Sequence, residues 1–292
     1  DAADLRISES IRSQGGDIVL LVDRDIIIDS GAIVDAAAGT IRLESMRDVY
    51  LTGLRTLNAS DGAVTVLAES GSIIDSGDAN LDIDADFGRV ILTSLSGIGV
   101  GNALETSIDR LQATATQSGS IEIIESNAIR LESVITADGA IRVSAGADIL
   151  VGQIVADNDG DVFLFADDDI LTLGATSLIF ADDLSLESGN VLDDGDSAID
   201  LNTNVNSITA VVFGTNRGDI EIREQDSIEL AADDSGQLDR TVQTSNGEIR
   251  ILAGENIMIA DQRDPSANSA FEVTPKVIAL GDNGRIRLDA GN

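Results

Sequence analysis

Residues Gly15–Asp29 read GGDIVLLVDRDIIID, and they state one phrase twice: Asp-Ile with an apolar residue two places on, at Ile18 and again eight residues later at Ile26. A spacing of two puts both apolar side chains on one face of a short strand. A probe of Gly-x-Ile/Val-x-Ile/Leu/Val finds the phrase again at Gly39–Leu43, Gly62–Val66, Gly88–Leu92, Gly119–Ile123, Gly139–Val143, Gly160–Leu164, Gly218–Ile222, Gly247–Ile251 and Gly284–Leu288, with a degenerate copy at Asp183–Leu186. Eight residues beyond the first apolar position a second strand begins: Ile41 leads to Val49, Ile121 to Ile129, Ile141 to Ile149, Val162 to Ile170, Ile220 to Ile228 and Ile249 to Ile257. A looser third apolar patch follows, as at Ile33, Leu54, Ile108 and Ile154.

Self-similarity at this period means a repeat architecture. Helical repeats need apolar residues at i, i+3, i+4 and i+7 over ten or more positions; here the segments are short and break at Gly or Asp. The Leu-x-x-Leu-x-Leu signature of leucine-rich repeats and the aromatic marks of propeller blades are absent from the sequence. What remains is an all-β fold, a right-handed parallel β-solenoid (β-helix) of about eleven coils, each of roughly 20–37 residues and about three short strands. One coil cannot bury its own apolar positions, so coils stack at about 4.8 Å per rung and share an interior. An inward column of Ile18, Ile41, Val64, Val90, Ile121, Ile141 and Val162 is expected, and an outward one in which Ile91 neighbours Glu122, Glu122 neighbours Arg142, and Glu221 neighbours Arg250. The whole chain, 1–292, reads as a single solenoid segment of a longer protein, with loop excursions near 192–213, 236–246 and 261–276, the last holding both prolines, Pro265 and Pro275.

Composition fits this. Of 292 residues 43% are hydrophobic but only 2% aromatic, so the core is built of Ile, Leu, Val and Ala. The net charge of −34, from 18 basic against 52 acidic residues with no His, excludes nucleic-acid binding by charge and disfavours anionic membrane surfaces. Cations are the natural small partners. Asp is also the turn residue of a turn-rich fold, and that accounts for most of its excess. There is no Cys and no Trp, and the one Tyr is Tyr50, so neither a thiol nor a Ser-His or Cys-His dyad exists in the chain.

The segments GGDIVLLVDRDIII, GAIRVSAGADILV, RGDIEIREQDSIEL and NGEIRILAGENIMI resemble the repeats of filamentous haemagglutinin-type bacterial exoproteins. The resemblance spans nearly the whole chain and is least clear at Leu192–Phe213 and Asp261–Lys276. It implies a large secreted or surface-anchored β-helix repeat protein, an adhesin shaft or fibre located outside the cell or on the bacterial surface.

Four local motifs carry candidate chemistry. DNDGD at Asp157–Asp161 places carboxylates at alternate positions around a Gly bend, the start of a calcium loop, with Asp157, Asp159 and Asp161 as ligands. DDGD at Asp193–Asp196 offers Asp193, Asp194 and Asp196 in the same way. The equivalent bland reading of both is a solvated turn. Asp167–Asp169 and Asp182–Asp183 fall at bends one coil apart, where stacked charges favour a cation or screening salt. Arg217, Gly218 and Asp219 spell an adhesive tripeptide, although Gly218 and Asp219 already belong to the repeat phrase.

An outward apolar stripe, Ile27, Tyr50, Ile74, Leu150, Leu171 and Met258, would mark association if uncovered. The reading that results is a non-enzymatic structural and adhesive rod segment. It displays loops to cell-surface or matrix molecules or to further copies of itself, requires no cofactor, has calcium as the candidate ion, and inserts into no membrane. Two alternatives stand beside it: a calcium-dependent carbohydrate-active enzyme on a β-helix scaffold, and a self-assembling, fibre-forming module.

Overall fold

The computed structural model describes residues 3–77, 80–190, 197–214, 218–230, 241–259, 277–279 and 284–291. Every regular element among them is a β-strand, and their ladders are parallel, stacked as a β-solenoid. About nine turns stand in the described residues, fewer than the eleven coils expected. The expected excursion at 261–276 lies outside the described residues, as does 236–240. The chain divides into two compact units, Asp1–Ala147 with Gly152–Gly160, and Asp148–Val151 with Asp161–Asn292.

In the first unit each turn contributes three ladders. One runs through Ile18–Val22, Ile41–Ser45 and Val64–Ala68 to the second half of Ile83–Ser94, pairing Ile18, Ile41, Val64 and Val90 in succession. The second pairs Leu5, Ile26, Val49 and Ile73. The third pairs Ile11, Val34, Leu54 and Ile83. Alternation decides which side chains enter: in Ile41–Ser45, Ile41, Leu43 and Ser45 are buried, Arg42 is exposed and Glu44 half-buried. The interior is the aliphatic column the composition requires, with Ile26, Ile41, Leu43, Val64 and Ile73 fully buried.

The repeat phrase does not keep to one face. Val90 pairs with Leu111, not Ile121, while Ile121 stacks on Ile98 and then on Ile141. The physical reason is the strand Leu104–Ala115. Its twelve residues contain no Gly or Pro, so it runs on through a corner and supplies a layer that carries no copy of the phrase. The expected column is therefore corrected: Ile121 continues the second ladder. Ile91 accordingly lies beside Gln112, whereas Glu122 does lie beside Arg142.

In the second unit Ile149, Ile170, Ile199, Ile220, Ile249 and Ile286 form one column. Ile170 belongs to the second strand of its phrase and Ile220 to the first, so the phrase changes face here too. Again a long strand intervenes. Ile199–Val212 runs fourteen residues, pairing with Leu178–Ser188 on one side and with Ile220–Glu224 on the other. The expected excursion at 192–213 is thus largely ladder. Inward Leu201, Thr203 and Val205 alternate with outward Asn202, Asn204 and Asn206, and nothing in that run breaks a strand. Val242–Thr244, inside the expected excursion at 236–246, is also a strand.

Two devices recur between layers. At Gly39 a Cβ would lie 2.3 Å from the Gly16 carbonyl oxygen, and at Gly247 the same distance from that of Gly218. At these two positions glycine opens the phrase because the backbone of one layer passes where a side chain would be. The second device is an aspartate ladder at the bend before a strand. Asp25 Oδ1 accepts from the Asp48 N–H (3.1 Å), and Asp48 Oδ1 from the Ser72 N–H (2.8 Å). In the second unit Asp148 Oδ1 accepts from Asp169 N–H (3.2 Å) and Asp219 Oδ1 from Glu248 N–H (2.8 Å). The Asp of Asp-Ile thus satisfies an amide of the next turn, a contribution of about 1 kcal/mol each.

Candidate functional site

Among the described residues, carboxylates gather at three places where one oxygen from each of three residues lies within 4.8 Å of the others: Asp75, Asp82 and Glu105; Asp148, Asp168 and Asp169; and Asp161, Asp182 and Asp183. Such sets suit a hard cation that takes oxygen ligands. They also have duties inside the fold. Asp75 Oδ1 accepts from the Gly77 N–H (3.0 Å) and its other oxygen from Asn102, while Asp82 Oδ2 accepts from the Glu105 N–H (3.1 Å). Asp183 accepts from the Ser207 hydroxyl (2.6 Å), and Asp182 from Asn206.

Of the residues proposed from sequence, Asp161 stands with Asp182 and Asp183. Asp157 and Asp159 are exposed, in a bend where Asn158 and Asp159 take φ of 52° and 60°. Asp193, Asp194 and Asp196 lie outside the described residues, as does Arg217. Gly218 is buried just ahead of the strand Ile220–Glu224, and Asp219 accepts from the amide of Glu248. The apolar stripe is short. Ile27, Tyr50 and Ile74 are consecutive ladder partners and half-buried; Leu150 pairs with Leu171, whose next partner is Asp200. Met258 is exposed.

Two groups that motif reading passed over are Glu125 and Glu224, both buried at the inward end of a five-residue strand. Most other copies of that position hold Ser or Ala, as at Ser45, Ala68, Ser94, Ala145 and Ala253. Their signal is parity: in IEIIE and IEIRE the fifth residue faces inward with the first and third. Glu125 Oε2 accepts from the Thr106 hydroxyl (2.8 Å) and the Ile108 N–H (3.0 Å), and Oε1 from the Asn127 N–H (3.0 Å). Burial pushes its carboxyl up to about 7 against these hydrogen bonds, which favour the ion. Glu224 repeats the arrangement with Thr203 (2.8 Å), Val205 N–H (3.1 Å) and Gln225 N–H (2.8 Å), and is likewise raised by burial.

The outer surface of the first unit carries an ion-pair network and a cavity. Arg89, Arg110 and Arg130 are successive ladder partners, an arrangement that repels unless countered. Glu132 meets Arg89 at 2.7 Å, Asp61 meets Arg110 at 2.7 Å, and Asp109 pairs with Arg130. The hydrogen bond from Arg110, helped by the charge of Arg89, holds the Asp61 carboxyl below the usual range. The cavity, about 320 Å³, is lined by Ile33, Gly53, Leu54 and Leu81, with Arg55 and Asp84 paired at 3.4 Å on its wall. Burial, then the nearby Asp86 charge, raises the Asp84 carboxyl. No helix among the described residues is long and apolar enough to cross a membrane.

Comparison with known proteins returned no match: no family model, no curated protein and no solved structure is similar to this chain.

Proposed function

We propose that this chain is a structural and adhesive segment of a large secreted or surface-anchored bacterial repeat protein, a shaft that displays its exterior for contact and catalyses nothing. One observation carries the reading: parallel layers share an aliphatic interior, so length is gained by adding layers, and each layer's fold depends only on its neighbours. The acidic residues of the bends serve that stacking first, and the net charge of −34 keeps like surfaces apart. Contact falls to outward apolar side chains such as Val19 and Leu21, which are 53% and 62% exposed. Its partners are cell-surface or matrix molecules. A binding assay tests the proposal. Beads coated with the chain should adhere to cells or matrix more than beads coated with the Val19→Asp, Leu21→Asp variant; equal retention rejects Val19 and Leu21 as the contact.

A further inference from the structure

Glu125 and Glu224 occupy equivalent places in the two units. Each ends a short strand laid over a long one, Leu104–Ala115 in the first case and Ile199–Val212 in the second. The ladder between them stops at the glutamate: the last paired positions are Thr106 with Glu125 and Thr203 with Glu224. The long strand continues past the corner, and the upper chain turns away. An amide of the long strand two residues on, Ile108 N–H or Val205 N–H, then points to a layer with no carbonyl for it. In both units the glutamate side chain supplies the acceptor, and its second oxygen takes the amides of its own turn, Asn127 N–H in one and Gln225 and Asp226 N–H in the other.

We propose that Glu125 and Glu224 are a matched pair of proton-operated latches, each fastening two adjacent layers of its unit when protonated and loosening them when ionised. A neutral carboxylic acid keeps one oxygen for the long strand's amide and avoids placing a charge in the closed interior. The Thr106 hydroxyl, which also faces the Ile124 carbonyl at 3.4 Å, can turn to accept the added proton.

Among the described residues, no counter-charge faces either carboxyl. Below Glu125, the long strand carries Glu105, Asp109 and Arg110; its own strand carries Glu122; the following strand carries Arg130 and Glu132; and the layer above carries Arg142, with Ala145 directly over the glutamate. None of these charged side chains is buried. Around Glu224 the corresponding groups are Asp200 below, Glu221 and Arg223 on its own strand, Asp226 and Glu229 beyond the turn, and Glu248 and Arg250 above, where Ala253 covers it. These too lie outside the buried set.

The direction with pH follows. In the unfolded chain the glutamates ionise at their ordinary value of 4.5, whereas in the fold Glu125 holds its proton to about 7. Below pH 4.5 the latch is fully effective. Between there and about 7 stability falls, because the unfolded chain releases a proton the fold retains. For Glu125 that gap corresponds to about a 300-fold weakening of the folding equilibrium.

The test compares equilibrium unfolding of the full chain from pH 4.5 to 8 with that of Glu125→Gln, Glu224→Gln and the double variant. Wild type should lose stability over this range by two or more orders of magnitude in excess of the double variant, each single variant falling between. The comparison removes the general repulsion of the acidic surface, which all four proteins share. Should the variants fail to fold, the side-chain carboxyl carbons of wild type are titrated by NMR. Glu125 titrating near 7 and Glu224 above its ordinary value, with exchange protection at Ile108 and Val205 falling as each ionises, support the latches. Equal pH slopes in all proteins, or every glutamate titrating near 4.3, overturns the proposal.

Discussion

The pairing of Ile91 with Gln112 separates the observed register from the one the repeat phrase alone implies, which sets Ile91 beside Glu122. The chain has no cysteine, so an introduced pair reports on its own geometry without competing thiols. Adjacent strands lie about 4.8 Å apart, inside the 4.4–6.8 Å Cα span that a disulfide bridges. Both side chains are half-buried on the outward side of their ladder, so oxidant reaches them. Positions 91 and 112 are 21 residues apart, and closing a loop of that length removes chain entropy from the unfolded state worth about 3 kcal/mol, less any strain in the bridge. Ile91→Cys, Gln112→Cys should therefore oxidise to an intramolecular bridge, seen as a 2 Da mass loss and faster migration on a non-reducing gel, the mass being that of two hydrogens, about 2. Its melting temperature should rise by roughly 6 °C over the reduced protein. Ile91→Cys, Glu122→Cys should stay reduced, since Glu122 follows Ile121 in the ladder of Ile98. Bridging in the second pair and none in the first would refute the change of face, and with it the account of Glu125, which depends on that corner.

Three further outcomes are expected. Gly39→Ala should destabilise the chain by about 2–4 kcal/mol in urea unfolding, because its Cβ would overlap the Gly16 carbonyl, while Gly62→Ala, whose nearest neighbour is Thr65 Oγ1 at 3.9 Å, should be neutral or stabilising by up to about 1 kcal/mol. Asp48→Ala should cost about 1 kcal/mol by removing the acceptor for Ser72 N–H, and Asp48→Asn, which keeps a carbonyl oxygen there, less than half of that. Raising sodium chloride from about 20 mM to about 500 mM should raise the melting temperature, because screening relieves the repulsion within a chain of net charge −34; a fall would mean that surface ion pairs such as Arg110–Asp61 outweigh it.

The solenoid was legible because its cause is local. Gly at the close approach, Asp at the bend and apolar residues two apart are all fixed by contacts between one layer and the next, so each coil repeats them. Glu122 beside Arg142 and Glu221 beside Arg250 were readable for the same reason, and the second pair meets at 2.8 Å. The change of face was not legible. Leu104–Ala115 and Ile199–Val212 carry no Gly-x-Ile phrase, and a probe built on that phrase steps over the layers they form. The acidic residues are grouped by a different rule. Proximity in sequence, as in Asp157–Asp161, matters less in this fold than a separation of one turn, which is what brings Asp161 to Asp182 and Asp148 to Asp169.

That separation of one turn also explains why the two glutamates arise where they do. A repeat that stayed on one face would end every short strand over another short strand, and both chains would turn together; Ser or Ala then suffices at the inward corner, as at Ser45 over Val22 and Ala68 over Ser45. When a long strand underlies a short one, the two part company and leave a main-chain donor inside the wall. Water does not reach it, and leaving such a donor unmet costs about 1–3 kcal/mol. A side chain must reach down one layer to meet it. Asp is a methylene shorter than Glu, Gln would bring a second donor to a corner already crowded with amides, and Ser45 bonds within its own turn, to the Asp48 carbonyl. Glutamate alone among the acceptors offers both the length and two oxygens, one for each layer. The pH sensitivity of the corner is therefore a consequence of the change of face: where Ile121–Glu125 lies over Leu104–Ala115, and Ile220–Glu224 over Ile199–Val212, an ionisable group enters the interior.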